Sequence, residues 1–243
     1  MAKYFELKKS FAMIAARELS SREKPSPKPS TRPLTFTSRK KQRLNFNLDK
    51  LLATLSSVAA TGTTLFYNTT AGGSNTPDTV YGLFNCRGVV PRQVCQDCVA
   101  RGTKELSSKC EFEKEGMLWR DQCFVRYSNR YFFSVVEKEP ILGFFNTINV
   151  TTNNNTDFIT TLAKTLTQVV AEAANSGVPG NKNFATKKAS LSLVESRSLY
   201  TCADCTSDLS SKDCYACLHE AINSIPGVVW ERLGEELGIL AAD

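Results

Sequence analysis

Apolar residues first fall into a regular pattern near Leu44. Leu48, Leu51, Leu52, Leu55 and Val58 recur at the three- and four-residue steps of one helix face, and Ala60-Thr61-Gly62 closes the run. A second helix is expected from about Pro91 to Ser108, with the proline near its first turn. The pattern then changes to alternation. Over Gly116 to Tyr127, Met117 and Trp119, then Cys123, Val125 and Tyr127, share one face, which predicts a strand. Tyr131-Phe132-Phe133-Ser134-Val135-Val136, rich in aromatic and β-branched residues, predicts another. Residues 138–157 read as a connection, with Pro140, Gly143 and the run Asn153-Asn154-Asn155. Beyond it Ile159, Leu162, Leu166, Val169 and Val170 predict a further amphipathic helix ending near Asn175-Ser176-Gly177.

The second half repeats the first. Phe66-x4-Ala71 is answered by Phe184-x4-Ala189, and Tyr81-x4-Cys86-x8-Cys95-x2-Cys98 by Tyr200-x4-Cys205-x8-Cys214-x2-Cys217. Fixed internal spacing behind matched helices marks an internal duplication. The expected organisation is a tail over 1–43, a first module over 44–137, a linker over 138–157 and a second module over 158–243.

Charge is uneven. Residues 1–43 hold twelve Lys/Arg against three Glu, a tail of net +9, which leaves the body mildly acidic at −3. The body therefore offers no basic face to nucleic acid. The tail, with Pro25, Pro27, Pro29 and Pro33 among its Ser and Thr residues, reads as disordered. Its best apolar run, Phe11 to Ala16, is ended by Arg17, so no recognisable signal peptide is expected. No stretch approaches the ~18 apolar residues of a membrane span.

All nine cysteines lie between Cys86 and Cys217, a clustering that suggests disulfides or a metal site. The sequons at Asn68, Asn149 and Asn154 are candidate glycosylation sites and point to an oxidising, secretory route. Cys202-x2-Cys205-x8-Cys214-x2-Cys217 has two CxxC pairs and is a rival four-cysteine zinc site. Leu83 stands where Cys202 does in the first copy, so a metal cannot organise both repeats. CxxC also admits thiol-redox chemistry at Cys95–Cys98 or Cys214–Cys217. His219 is the only histidine, it misses the C-x-x-C-H pattern, and no G-x-S-x-G elbow, P-loop or kinase glycine loop accompanies it. No catalytic residue, metal ligand or cofactor site is assigned. Trp119, Trp230 and the aromatics of 127–133 are sugar-stacking candidates, for which a core role is the commoner alternative.

The stretches Tyr81-Gly82-Leu83-Phe84-Asn85-Cys86, Cys95-Gln96-Asp97-Cys98 and Cys123-Phe124-Val125-Arg126-Tyr127-Ser128 carry a resemblance. They closely resemble the plant Gnk2-homologous domain, also called the DUF26 or stress-antifungal domain. It occurs in tandem in cysteine-rich repeat secretory proteins and in the ectodomains of cysteine-rich receptor-like kinases. The resemblance covers about residues 44–227.

It implies an α+β fold: two tandem modules, each with two helices packed on an antiparallel sheet of about five strands. It further implies the bridges Cys86–Cys95, Cys98–Cys123 and Cys205–Cys214. The family partner of Cys110 lies near the start of the module, where this chain has no cysteine, so Cys110 is an expected free thiol. The equivalents of Cys110 and Cys123 in the second copy are Val229 and Ala242. Cys217 then loses its family partner, and the second module is expected to be incomplete. A pairing of Cys217 with Cys202 stays open; otherwise both are further candidate free thiols. The family's mannose-binding members use an Asn beside the first cysteine, an Arg and a Glu; that cysteine is absent here, and Met117 and Ser128 occupy the other two places. No mannose site of that form is expected. The resemblance implies a secreted, non-enzymatic recognition protein of plant stress or defence, with a protein or carbohydrate ligand at the cell surface or wall. A truncated receptor-kinase ectodomain, or an intracellular zinc-binding or thiol-redox protein, are the alternatives.

Overall fold

The computed structural model of the chain describes residues 13–16, 36–73, 76–110, 113–137, 155–176, 183–190 and 198–224. The described chain divides between Phe133 and Ser134 into two compact units.

The first unit lays helices α1 (Phe36–Ala60) and α2 (Arg92–Lys109) on a sheet of β1 (Met13–Ala16), β2 (Phe66–Ala71), β3 (Val80–Cys86), β4 (Glu115–Trp119) and β5 (Cys123–Ser128). Every pairing is antiparallel, in the order β1-β4-β5-β3-β2. The seam of α1 follows most of the periodic set from the sequence: Leu48, Leu51, Leu52 and Leu55 are buried together with Leu44 and Ala59, while Val58 is only partly buried beside them. They meet Val99 and Leu106 of α2, Val80 and Phe84 of β3, Leu118 of β4, and Val125 and Tyr127 of β5 in one core. Burial of this set is the main source of stability, at about 1.5–3 kcal/mol per large side chain. The helix stops at Gly62, whose φ of +65° is the left-handed conformation that an ordinary side chain resists and that ends helices. Its N–H returns to the Ala59 carbonyl at 3.0 Å.

The second unit contains α3 (Asn155–Asn175), β6 (Phe184–Ser190), β7 (Ser198–Asp204) and α4 (Ser211–Ser224). Strands β6 and β7 pair antiparallel, Phe184 opposite Asp204 and Ser190 opposite Ser198. Val169, Val170 and Ala173 of α3 bury against Ala203, with Leu218 and Ile222 of α4 beside them. Asn183 is fully buried, and its amide donates to the Thr206 and Leu209 carbonyls at 3.2 and 3.0 Å, which shapes the turn into α4. Ser210 then caps that helix, accepting from the Asp213 N–H at 3.1 Å. The architecture is α+β, four helices with antiparallel strands in two successive units.

Five sequence-based expectations change. Gly116–Tyr127 is not one strand but parts of two, β4 and β5, which turn back on each other and put Met117 and Trp119 on the face opposite Cys123, Val125 and Tyr127. The segment 1–43 is not wholly disordered. Met13–Ala16 pairs with β4, Met13 opposite Trp119 and Ala16 opposite Gly116. A run of four residues is long enough for an edge strand. Helix α1 begins at Phe36, ahead of the expected Leu44, because Arg39, Lys40, Lys41, Gln42 and Arg43 are good helix formers despite their charge. Tyr131–Val136 is not a strand, and Ser134 within it has a φ of +56°. The first unit also ends earlier than residue 137. The Ser134 N–H donates to Asp208 Oδ2 at 2.7 Å, its hydroxyl to the Asp208 carbonyl at 3.0 Å, and Val136 packs by Ala174, Cys205, Leu209 and Cys214.

Candidate functional site

The cysteines of the first unit are placed by one helix and two neighbouring strands. Cys95 and Cys98 lie three residues apart in the first two turns of α2, so both sulfurs leave the same face. Cys86 ends β3, Cys123 begins β5, and the two are directly opposite in the ladder. The result is a pair of bridges side by side, Cys86–Cys95 and Cys98–Cys123, with Cα separations of 5.7 and 6.1 Å. All four cysteines are buried in the core. Together the bridges fasten the start of α2 to one end of the sheet. In the second unit Cys205 and Cys214 are bridged across 5.9 Å, joining the end of β7 to α4.

Three cysteines stand outside these bridges. Cys110 is a fully buried thiol at the C-terminal cap of α2. Burial, with the negative charge of Glu113 second, pushes it above the ordinary thiol value of 9.0. The Tyr127 hydroxyl donates to the Cys110 carbonyl at 3.2 Å, and burial raises that phenol far above its usual 10.0. A thiol held protonated and out of water is a weak nucleophile. Cys202 is exposed between buried Thr201 and Ala203, so strand alternation turns it away from the helices that Ala203 packs on. Cys217 is half-buried on α4, on the helix side. The structure does not bring Cys202 and Cys217 into a bridge. Nor do the four cysteines of the two CxxC pairs converge as a tetrahedral set, because Cys205 and Cys214 are joined to each other.

The opposite face of the first sheet is aromatic. Alternation places Phe66, Asn68 and Thr70 of β2 there, beside Tyr81, Leu83 and Asn85 of β3, Phe124, Arg126 and Ser128 of β5, and Glu115, Met117 and Trp119 of β4. The chain leaving β5 folds back across this face, so Leu83, Phe132 and Phe133 form a second small core with Phe66, Tyr81 and Phe124 around it. The Arg126 guanidinium lies 4.1 Å from the Phe132 ring centroid, a cation–π contact. Arg130 grips Glu115 with two hydrogen bonds of 2.9 and 3.1 Å. Tyr131 remains 63% exposed, edge-on to Tyr81 and Phe133 at 5.4 Å each. This overlying strap escaped the sequence reading. The signal for it was present: three consecutive aromatics cannot all face one way in a strand.

The other candidates are placed as follows. Trp119 is half-buried against Phe124 at 5.2 Å, and Trp230 lies outside the described residues. Met117 and Ser128 are both buried. His219 stacks on Tyr215 at 5.8 Å and meets the Asn223 amide at 3.2 Å on the surface of α4. Asn68 is partly exposed on β2, while Asn149 and Asn154 lie outside the described residues. Among the described residues no cluster of metal-ligating side chains occurs, and no helix is long and apolar enough to cross a membrane.

Two successive α+β units, each with a helix bridged to its strands, define a disulfide-stapled tandem module. Residues 31–130 and 146–232 match the model of the salt stress response/antifungal family, well over half of the chain, and the chain belongs to that family. Over 180 residues it is 37% identical to cysteine-rich receptor-like protein kinase 25 of Arabidopsis thaliana, covering 74% of this chain and 26% of that protein. It is 34% identical over 178 residues to cysteine-rich repeat secretory protein 1 of the same plant, covering 73% of this chain and 50% of that one. The chain therefore spans about a quarter of the kinase and half of the secretory protein. Its fold is similar to the crystal structure of the tandem DUF26 ectodomain of the Arabidopsis thaliana cysteine-rich receptor-like protein PDLP8. The TM-score is 0.62 at 20% identity, covering 76% of this chain and 81% of that one.

Proposed function

We propose that the chain is a non-enzymatic extracellular recognition protein, acting in plant stress or defence through a protein or carbohydrate ligand at the cell surface or wall. The observation that carries this reading is the bridging of α2 to β3 and β5 by Cys86–Cys95 and Cys98–Cys123. Core bridges of this kind persist in oxidising compartments and are rare where glutathione keeps thiols reduced. The family's tandem ectodomains and secretory relatives support the same compartment. The chemistry around the bridges is structural: Cys110 is buried and protonated, and among the described residues His219 engages Tyr215 and Asn223 of its own helix. The full chain, expressed from its own transcript in leaf tissue with a C-terminal tag, is expected in the extracellular wash fluid with six cysteines protected from alkylation until reduction. Retention in the cytosol with all nine cysteines open to alkylation in the denatured protein would overturn the proposal.

A further inference from the structure

The two edge strands that the duplication places in equivalent positions are protected differently. Strands β2 and β6 both begin with a phenylalanine, carry an alanine five residues on, and pair along one side with the following strand, β3 or β7. Among the described residues each is the last strand of its sheet. An edge strand presents a row of backbone donors and acceptors that a second chain can pair with, and lysines are a common defence. Strand β6, Phe-Ala-Thr-Lys-Lys-Ala-Ser, carries Lys187 and Lys188. Strand β2, Phe-Tyr-Asn-Thr-Thr-Ala, has no charge at all, and its Phe, Tyr and two Thr residues favour extended pairing. What it has instead is the sequon Asn68-Thr69-Thr70.

The local geometry fits a modification there. Tyr67 and Ala71 pack into the core, so Asn68 and Thr70 point to the opposite face, where Asn68 is partly exposed and Thr70 exposed. Other asparagine side chains are occupied: Asn47 donates to the Asp78 carbonyl at 2.7 Å, Asn175 to Ala171 at 2.9 Å, and Asn183 to Leu209 at 3.0 Å. The Asn68 side-chain amide takes part in none of the hydrogen bonds among the described residues, so substituting its nitrogen breaks none of them.

We infer that Asn68 carries an N-linked glycan, and that this glycan covers the uncharged edge of β2 against pairing with a second copy of the chain. This rests on the export proposed above. In the transfer, Asn68 Nδ2 bonds to the anomeric carbon of a lipid-diphosphate-linked oligosaccharide. The carbon–oxygen bond to the diphosphate breaks, the lipid diphosphate leaves with the electron pair, and the amide loses one proton. The Thr70 hydroxyl is the second group the transferase reads. The hydrated glycan then does at β2 what the exposed Lys188 does at β6, where Lys187 is paired with Glu172 of α3.

The test uses the full chain behind a cleavable secretion leader in plant cells, so that site occupancy is measured whether or not the natural transcript is exported. Glycopeptide mapping is expected to find the Asn68 peptide glycosylated in wild type, and bare in Asn68→Gln and Thr70→Ala. By sedimentation the wild type is expected to be monomeric, and both bare variants to self-associate as concentration rises. Thr70→Lys, equally bare but carrying a lysine on the edge, is expected to stay monomeric. Retained Cys86–Cys95 and Cys98–Cys123 bridges verify folding of each variant. An unmodified Asn68 in the secreted wild type overturns the inference. So does a monomeric Asn68→Gln, or a Thr70→Lys that associates as strongly as Thr70→Ala. Cytosolic retention of the natural transcript would count against the export reading alone.

Discussion

Cys110 and Tyr127 form a buried pair whose protons the fold holds tightly. Both sit above their ordinary values, chiefly through burial, because a thiolate or phenolate would lose its hydration there. A raised value in the folded state means that stability is complete below the unfolded value and declines as pH climbs past it. Loss is therefore expected to begin near pH 9.0 with Cys110, and to steepen above pH 10.0 as Tyr127 joins. Tyr127→Phe gives up hydrogen bonds to the Cys110 and Glu113 carbonyls and should cost about 1 kcal/mol at neutral pH. The same variant should flatten the decline above pH 10.0, which urea titrations across that range would show. A variant as alkali-labile as wild type would remove Tyr127 from the account.

Helix α2 is held at its start by two bridges and along its length by close packing. The Cys98–Cys123 loop is longer than the Cys86–Cys95 loop, 25 residues against 9. Chain-entropy reasoning gives about 3.5 kcal/mol for the longer and about 2.6 kcal/mol for the shorter. Paired replacement Cys98→Ala with Cys123→Ala should therefore lower the urea midpoint more than Cys86→Ala with Cys95→Ala. The opposite order would mean that local packing around the bridges outweighs loop length. At Gly102 α2 lies close on the sheet: an added Cβ would stand 2.8 Å from Leu118 Cδ2 and 3.1 Å from Val125 Cγ2. Alanine would improve helix propensity by about 1 kcal/mol, but overpacking costs about 1–3 kcal/mol, so Gly102→Ala should be neutral to destabilising in thermal melts. The strap is the other element with a defined load. Phe132→Ala removes a buried ring from Leu83 and Arg126, and should cost about 3–5 kcal/mol in urea unfolding of the first unit. A loss under about 1 kcal/mol would show that the strap merely rests on the sheet.

Across the whole molecule, the helices were legible because their apolar seams are periodic: Leu48, Leu51, Leu52 and Leu55 are buried as spaced, as are Val169 and Val170. The doubled cysteine spacing, with the helices, was enough to expose the duplication. What stayed hidden depends on distant partners. Met13–Ala16 is a strand only because β4 offers it an edge, and nothing in four apolar residues announces a partner about a hundred positions away. Tyr131–Phe133 has the composition of a strand, yet packing over Leu83 and Arg126 wins over propensity. The crossing between the units fell at Phe133 because Ser134 is tied to Asp208, a contact with no local trace in the sequence.

The central claim is a family module stapled by bridges in an oxidising compartment. It is tested most directly by a non-reducing peptide map of the full chain recovered from plant extracellular fluid. The account predicts linked peptides for Cys86–Cys95, Cys98–Cys123 and Cys205–Cys214, with Cys110 alkylated only after unfolding. Recovery of these six cysteines as free thiols, or in other pairings, would contradict it.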